Sequence, residues 1–314
     1  MSVTKSELLQ MQSLPLHLKI HKTCARIQEW CDEHNGMIYV AFSGGIDSTV
    51  LLDITRRLYP SIPAVFSDTG LEYPEIREFV KSYDNVEWVR PKHSFKWVIE
   101  NCGYPVVSKR VARYIRDCQN PTGRNSNVRN LRLTGISSVT QPGKFQPSMK
   151  IPAKWIKLID APFKVSEQCC DHIKKKPMDE YAKSRGRFPM TGEMADDSER
   201  RTQTYMKTGC NNYNGTHPKS MPMGFWTRQD VLSYIKVFNL KYCSVYGDII
   251  YNSLSTKLET TGEQRTGCMF CMFGVHMEKH PNRFERMKIS HPNHYRICMD
   301  LGCGNVMDFI GVEH

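Results

Sequence analysis

Apolar positions along the chain follow two rhythms. Up to about residue 35, Leu8, Leu9, Leu14, Leu16, Leu18, Ile20, Ala25, Ile27 and Trp30 recur at three- and four-residue steps, which predicts amphipathic helix interrupted at Pro15. From Met37 to Phe42 the apolar residues run together as in a short buried strand. The turn Ser43–Asp47 then leads into a helix carrying Val50, Leu51, Leu52 and Ile54. Ile62–Phe66 predicts a second strand ending at Ser67-Asp68-Thr69-Gly70, Pro74–Ser82 a helix, and Val86–Val89 a third strand. Pro121–Pro152 is rich in Gly, Ser, Asn, Pro and Arg with weak periodicity, and reads as a loop or inserted accessory element. Lys154–Ile159, Cys169–Arg185, Phe188–Thr191 and a helix Thr227–Val237, N-capped by Thr227, return to the earlier pattern. Strands alternating with helices predict an α/β fold: a doubly wound, mostly parallel sheet covered on both faces. The expected organisation is a helical lead-in at 1–35, an α/β domain at 36–275 with an insertion at about 121–152, and a Cys-rich C-terminal extension at 276–314.

At 314 residues, 24% charged and 40% hydrophobic, the chain has the composition of a folded globular protein. No stretch approaches the ~20 apolar residues that span a bilayer. The opening MSVTKSELLQMQSLPLH lacks the apolar core of a secretory signal, so a cytoplasmic protein without a membrane partner is expected. A net charge of +11 favours an anionic partner, nucleotide or nucleic acid. Twelve cysteines in such a chain suggest metal or catalytic thiols more than disulfides.

Three groups of residues carry candidate chemistry. Ser43-Gly44-Gly45-Ile46-Asp47-Ser48 lies between a predicted strand and a predicted helix, where a doubly wound sheet places its ligand. Its glycines let backbone N–H groups approach phosphate oxygens, and the helix start adds positive potential. From these residues alone, an ordinary strand-to-helix turn stands equally open. Cys169-Cys170 and Cys268-Met269-Phe270-Cys271 supply thiols of the kind that hold tetrahedral zinc or a [4Fe–4S] cluster. Adjacent cysteines can share one cluster only in a distorted local geometry. Lys174, Lys175 and Lys176 beside them would offset the cluster's negative charge, whereas Cys24, Cys31, Cys102, Cys118 and Cys243 read as buried free thiols. Lys109, Arg110, Arg113, Arg116, Arg124, Arg129 and Arg132, with Tyr114 among them, form either a nucleic-acid surface or a solvated basic face. His172, His217, His276, His280 and His291 form no recognisable metal set.

SGGIDS after an apolar strand resembles the SGGxDS signature of the PP-loop ATP-pyrophosphatase superfamily, and Ser67–Glu75 resembles the D-T-G…P-E segment of its phosphoadenylyl-sulfate (PAPS) reductase branch. Cys169–Met178 is similar to the C-C-x-x-R/K-K-x-x-P-L of the adenylyl-sulfate reductases, whose C-C…C-x-x-C set holds [4Fe–4S]. Met190-Thr191-Gly192-Glu193 with Asp197-Ser198 and Arg200-Arg201 looks like the family's T-G-x-R…D-S…R, with Glu193 where arginine is commoner. Pro222 and Phe225–Val231, followed by Asn239-Leu240 and Tyr246, resemble its P-x-x-x-W-T-x-x-D-V…Y segment, which taken alone is core packing plus an N-cap. The similarity runs from about residue 37 to about residue 275.

The resemblance implies an adenine nucleotide α-hydrolase-like fold and binding of ATP or an adenylyl sulfate. It implies that Ser43, Gly44, Gly45, Asp47, Ser48, Asp68, Thr69, Gly70 and Gly192 meet the nucleotide, and that Asp47 places Mg²⁺ or the α-phosphate. Arg200 and Arg201 would neutralise the leaving anion, and Cys169, Cys170, Cys268 and Cys271 would hold [4Fe–4S]. The favoured activity is ATP-dependent adenylation coupled to sulfur transfer, with nucleic acid as a candidate acceptor through Lys109–Arg132, and a sulfur donor or partner protein completing the reaction. The rivals are a reductase forming sulfite from adenylyl sulfate and a non-catalytic nucleic-acid-binding protein. The reductases share a C-terminal E-C-G-L-H segment whose cysteine attacks sulfur. The tail here lacks it; Cys303, at the start of a predicted helix carrying Val306, Phe309 and Ile310, is the nearest substitute.

Overall fold

The computed structural model describes residues 2–137, 139, 142–214 and 217–314. Its strands in chain order are β1 Ile38–Ala41, β2 Ala64–Ser67, β3 Val86–Val89, β4 Val106–Val107, β5 Phe188–Thr191, β6 Asn211–Asn212, β7 Lys219–Ser220, β8 Ile249–Asn252, β9 Lys257–Thr260 and β10 Met272–Phe273. The chain divides into two compact units, each assembled from separated stretches.

The first unit comprises Met1–Asp68, Glu72–Arg90 and Pro177–Thr266. It contains a six-stranded sheet in the order β3-β2-β1-β5-β7-β6, parallel except at the β7–β6 edge. The predicted α/β class and mostly parallel sheet are therefore present. Ile38, Tyr39 and Val40 are all buried, as expected where a strand is covered on both faces. From β1 the chain adds β2 and β3 on one side and returns with β5 on the other. The C-terminal ends of β1 and β5 thus flank a topological switch point, the usual ligand crevice of open α/β sheets. The helix Ile46–Leu58 follows β1 directly and buries Ile46, Val50, Leu51, Leu52 and Ile54. Two helices, Lys5–Gln12 and Leu16–Glu33, precede the sheet, with Pro15 at the break. Lys19 is fully buried there: its ammonium donates to the Asp230 carboxylate at 2.6 Å and the Gln12 carbonyl at 2.7 Å. Asp230 also closes the capping box with Thr227 that starts the helix Arg228–Phe238. β8 and β9 form a separate antiparallel hairpin.

The second unit comprises Thr69–Leu71, Pro91–Lys176 and Gly267–His314. It is largely helical, with Phe95–Asn101, Lys109–Gln119, Ser126–Thr134, Arg283–Ser290, Pro292–Asp300 and Cys303–Ile310 around a short parallel pair of β4 and β10. Two readings of the sequence change here. Within Pro121–Pro152, Ser126–Thr134 is a helix ended by Gly135 in the left-handed conformation. Arg132 is the buried residue of that helix, so no apolar stripe announces it. Cys24 and Cys102 are half-buried rather than buried, while Cys31, Cys118 and Cys243 are buried as expected. No helix among the described residues is long and apolar enough to cross a membrane.

Candidate functional site

The loop after β1 is held open by its own hydrogen bonds. Ser43 N–H donates to Ser48 Oγ at 3.2 Å, the two hydroxyls lie 3.1 Å apart, and Ser48 Oγ donates to the Gly45 carbonyl at 2.8 Å. Gly44 has φ +72°, and a Cβ there would come within 2.8 Å of Val80 and 2.9 Å of Ile76, so the position requires glycine. Gly192, at the end of β5, comes against the same turn: a Cβ would lie 3.0 Å from the Asp47 carbonyl and 3.1 Å from Ser48 N. Ser43, Gly44, Gly45, Asp47, Ser48 and Gly192 are therefore brought together at the head of one helix. The Tyr246 hydroxyl accepts from Ile46 N–H at 3.4 Å and lies 2.6 Å from the Thr266 hydroxyl.

The charge at this head comes from residues distant in sequence. Asp47 Oδ1 accepts from Arg228 Nη1 at 3.3 Å. Burial lifts the Asp47 carboxyl above the ordinary range, and Asp197 adds to this, while Arg228 and Arg265 oppose it. Arg228 also donates to the Gln264 carbonyl at 3.0 Å, and Arg265 meets Asp197 at 3.4 Å. Arg201, from the helix Glu199–Thr208, pairs with Asp197 and lies 3.8 Å from Glu193; Arg200 is exposed. Glu193 in turn holds Lys219 at 2.6 Å. Arg228 and Arg265 were not singled out from the sequence. The signal for Arg228 lies in Trp226-Thr227-Arg228, which resembles the family's W-T segment and, taken alone, reads as packing and a cap.

Asp68, at the end of β2, is buried with Oδ2 accepting from Arg77 at 3.0 Å and Arg90 at 3.3 Å, while Oδ1 has no hydrogen-bond partner. Thr69 Oγ1 accepts from Leu71 N–H at 3.2 Å, and Gly70 adopts φ +76° with open space at its Cα.

In the second unit, the Cys268–Cys271 turn closes through Cys271 N–H to the Cys268 carbonyl at 3.1 Å, and Met269 N–H donates to the Leu71 carbonyl at 2.8 Å. Cys169 and Cys170 open a helical segment that passes at once into π-helix at Asp171–Lys175. Burial pushes the Cys169 thiol well above its ordinary range, and Cys170, Cys268 and Cys271 push it further, with Lys174 opposing. Burial and Cys268 likewise push Cys271 up to about 11, with Cys170 adding and Arg283 opposing. Cys169 thus lies within electrostatic reach of the other three thiols, and four sulfur donors are the chemistry that a [4Fe–4S] cluster takes.

The basic residues divide. Lys109, Arg110, Arg113 and Arg124 are exposed, Arg116 pairs with Glu167 at 3.0 Å, and Arg132 is buried against Asp117 and over the Tyr114 ring. Among the histidines, His280 has two carboxylate neighbours, Glu285 at 2.9 Å and Glu313 at 3.8 Å, a set missed in the sequence. Glu285 there already caps the helix at Asn282.

A glycine-bearing loop between a central strand and its helix, at the switch point of a parallel sheet, defines a nucleotide-binding α/β domain. More particularly, the family model for the phosphoadenosine phosphosulfate reductase domain matches residues 37–115 and 140–290, and the chain belongs to that family. A protein of Methanocaldococcus jannaschii described as uncharacterized is 31% identical over 87 residues. That match takes in 26% of this chain and 21% of the relative, so the chain spans about a fifth of that relative's length. Among solved structures, phosphoadenylyl-sulfate (PAPS) reductase from Candida auris in its phosphate complex is similar at TM-score 0.40 and 13% identity, over 78% of this chain and 91% of that one. The U34-tRNA thiolase NcsA from Methanococcus maripaludis, with its [4Fe-4S] cluster, is similar at TM-score 0.36 and 15% identity, over 93% and 80%.

Proposed function

We propose that this chain is an adenylating enzyme that splits ATP into AMP and pyrophosphate and couples that step to sulfur transfer, with nucleic acid as the acceptor. What supports the reading is the Ser43–Ser48 loop with Asp47 paired to Arg228, in a chain whose Cys303 is 0% exposed. A reductase needs an attacking thiol that reaches the sulfate sulfur, and Cys303, the tail's candidate, is enclosed in the helix Cys303–Ile310.

In this reading the N–H groups of the Ser43–Ser48 loop receive the phosphates, with Ser43, Gly44, Gly45 and Ser48 shaping the cradle and Gly192 allowing its close approach. A phosphate arriving there would compete with Asp47 for Arg228, and the Asp47 carboxylate would hold Mg²⁺ when it is bound. Arg200 and Arg201 neutralise the leaving pyrophosphate, and Asp68, Thr69 and Gly70 contact the nucleotide. Cys169, Cys170, Cys268 and Cys271 would hold a [4Fe–4S] cluster, which when bound supplies redox-active iron. Exposed Lys109, Arg110, Arg113 and Arg124 offer phosphate contacts to a nucleic acid.

The test is an anaerobic incubation with ATP and, separately, with adenylyl sulfate and a thiol reductant. AMP and pyrophosphate from ATP, with little sulfite in the second arm and no effect of Cys303→Ser, is the expected outcome. Sulfite release with an adduct on Cys303 would restore the reductase. Asp47→Ala should weaken ATP binding at least about tenfold, the value of one charged contact, while leaving iron content unchanged.

A further inference from the structure

The chain's net charge of +11 lies wholly in the second unit, and the first is close to neutral. Within the second unit, the stretch from Cys118 to Ile159 carries seven lysines and arginines and no aspartate or glutamate. A solvated face ordinarily mixes both signs, so an acid-free surface of this length suits a polyanion. The same stretch presents an aromatic ring in a fixed position. Gly135 ends the helix Ser126–Thr134 at φ +79°, and a Cβ there would fall 2.6 Å from Phe145 Cε2. The Phe145 ring therefore rests on bare glycine backbone, while the residue stays 55% exposed. An antiparallel bridge between Ile136 and Phe145, with Gln146 N–H donating to the Gly135 carbonyl at 2.7 Å, holds the chain on both sides of this contact. Lys150 Cβ lies 3.3 Å from the same point, so a cation is rooted beside the ring, and Lys144 precedes it in the chain. The Ile151 N–H donates to the Arg132 carbonyl at 2.8 Å and the Tyr114 hydroxyl to the Ser148 carbonyl at 3.2 Å, which ties this face to the helix Lys109–Gln119. A ring seated on one side and open on the other takes a flat partner at little cost in side-chain freedom.

We propose that this face is a docking platform for an unpaired segment of RNA, with one base stacked on the open side of Phe145 and the flanking phosphates met by Lys144 and Lys150. The inference rests on the reading of nucleic acid as the acceptor and names the form that acceptor takes. Phosphates satisfy the cations of the acid-free stretch, and a base supplies the flat partner that the ring lacks. A duplex stacks its bases on one another and offers none to Phe145, whereas RNA loops carry unpaired bases beside their phosphates as a matter of course. An acidic protein would answer the charge but leave the ring uncovered.

Iron-loaded full-length protein is titrated anaerobically with an RNA hairpin carrying 2-aminopurine in its loop, and with an RNA duplex of the same length without a loop. The expected result is binding of the hairpin about tenfold tighter than the duplex, the value of one stacked base, with quenching of the 2-aminopurine. Phe145→Leu should abolish the quench and loosen the hairpin about tenfold while leaving the duplex affinity unchanged, and Phe145→Trp should retain both signals. Where Phe145→Leu also loses the duplex through misfolding, Phe145→Trp decides: a retained quench supports the platform and a lost one overturns it. Lys144 is exposed, so Lys144→Gln should weaken both RNAs alike and lower the salt slope by about one phosphate contact. Equal affinity for hairpin and duplex, or a quench that persists in Phe145→Leu, overturns the proposal. Displacement of the hairpin by poly-glutamate at equal charge also overturns it, in favour of an acidic protein partner. AMP formation from ATP is measured on the parent in parallel: the RNA signals without AMP keep the platform and remove the adenylation reading, and AMP without them does the reverse.

Discussion

The loop at Ser43–Ser48 and the cysteine elements of the second unit are built for their proposed roles by opposite means. The loop offers backbone N–H groups, and the acid in the turn, Asp47, is balanced by Arg228. Shape is what matters there, through a left-handed Gly44 and a Gly192 that leaves no room for a side chain. Among the cysteines the donors are side chains, whose burial and mutual repulsion make the thiolate form unfavourable until a cation joins them. The first arrangement should fail by degrees when its shape is altered; the second should fail outright when one donor is lost.

The sharpest test of that contrast is Cys169→Ser or Cys271→Ser. Anaerobically purified parent is expected to carry about four irons per chain and either variant almost none, by iron and sulfide analysis, with ATP affinity retained. Stoichiometric zinc without iron or sulfide in the parent would replace the cluster by a structural metal. A smaller effect is expected for Gly44→Ala, where the left-handed backbone alone costs about 1–2 kcal/mol and crowding against Val80 and Ile76 adds to it. Urea unfolding and ATP titration should both register the loss, and an unchanged midpoint would mean that the loop relaxes freely.

The smallest expected effect concerns pH. Burial alone would raise the Glu193 carboxyl, but Lys219, followed by Arg201 and Arg200, pulls it below the ordinary range. Its folded pKa therefore lies below the unfolded value of about 4.3, so its stabilisation is present above that pH and fades as pH falls through the folded value. Both side chains of the pair are about one-third exposed, at 32% and 31%, so solvent screening keeps the contribution under about 1 kcal/mol. Urea midpoints of the parent and Glu193→Gln should differ slightly at pH 7 and converge in acid; a gap that persists there would assign Glu193 a packing role instead.

What was legible in the sequence was local. The continuous apolar run before Ser43, the glycine pair and the Thr227 cap each express a structure within a few residues, and each is present. Arg228 was not legible as the partner of Asp47, because the two lie 181 positions apart and the contact exists only once the parallel strands are assembled. The helix Ser126–Thr134 was missed for a different reason. It turns mostly polar residues to solvent, so helical periodicity has no apolar signal to display. The close approach of Gly103 to Lys164 spans 61 positions, and no pattern of neighbouring residues announces it.

The buried bond from Lys19 to Asp230 ties the two ends of the first unit's chain more firmly than their order suggests. Asp230 fixes Thr227, and the residue between the cap and the carboxylate's helix turn is Arg228, so the path from Lys19 leads in two steps to the arginine on Asp47. The opening helices thus carry the cation that Asp230 requires. A version trimmed to start at Met37 would keep every residue of the Ser43–Ser48 loop and yet leave the Asp230 carboxylate, with 14% of its side chain accessible, without its cation. Shortening or tagging the chain at its start is therefore expected to register at the Asp47–Arg228 contact, more than two hundred residues away in sequence from Lys19.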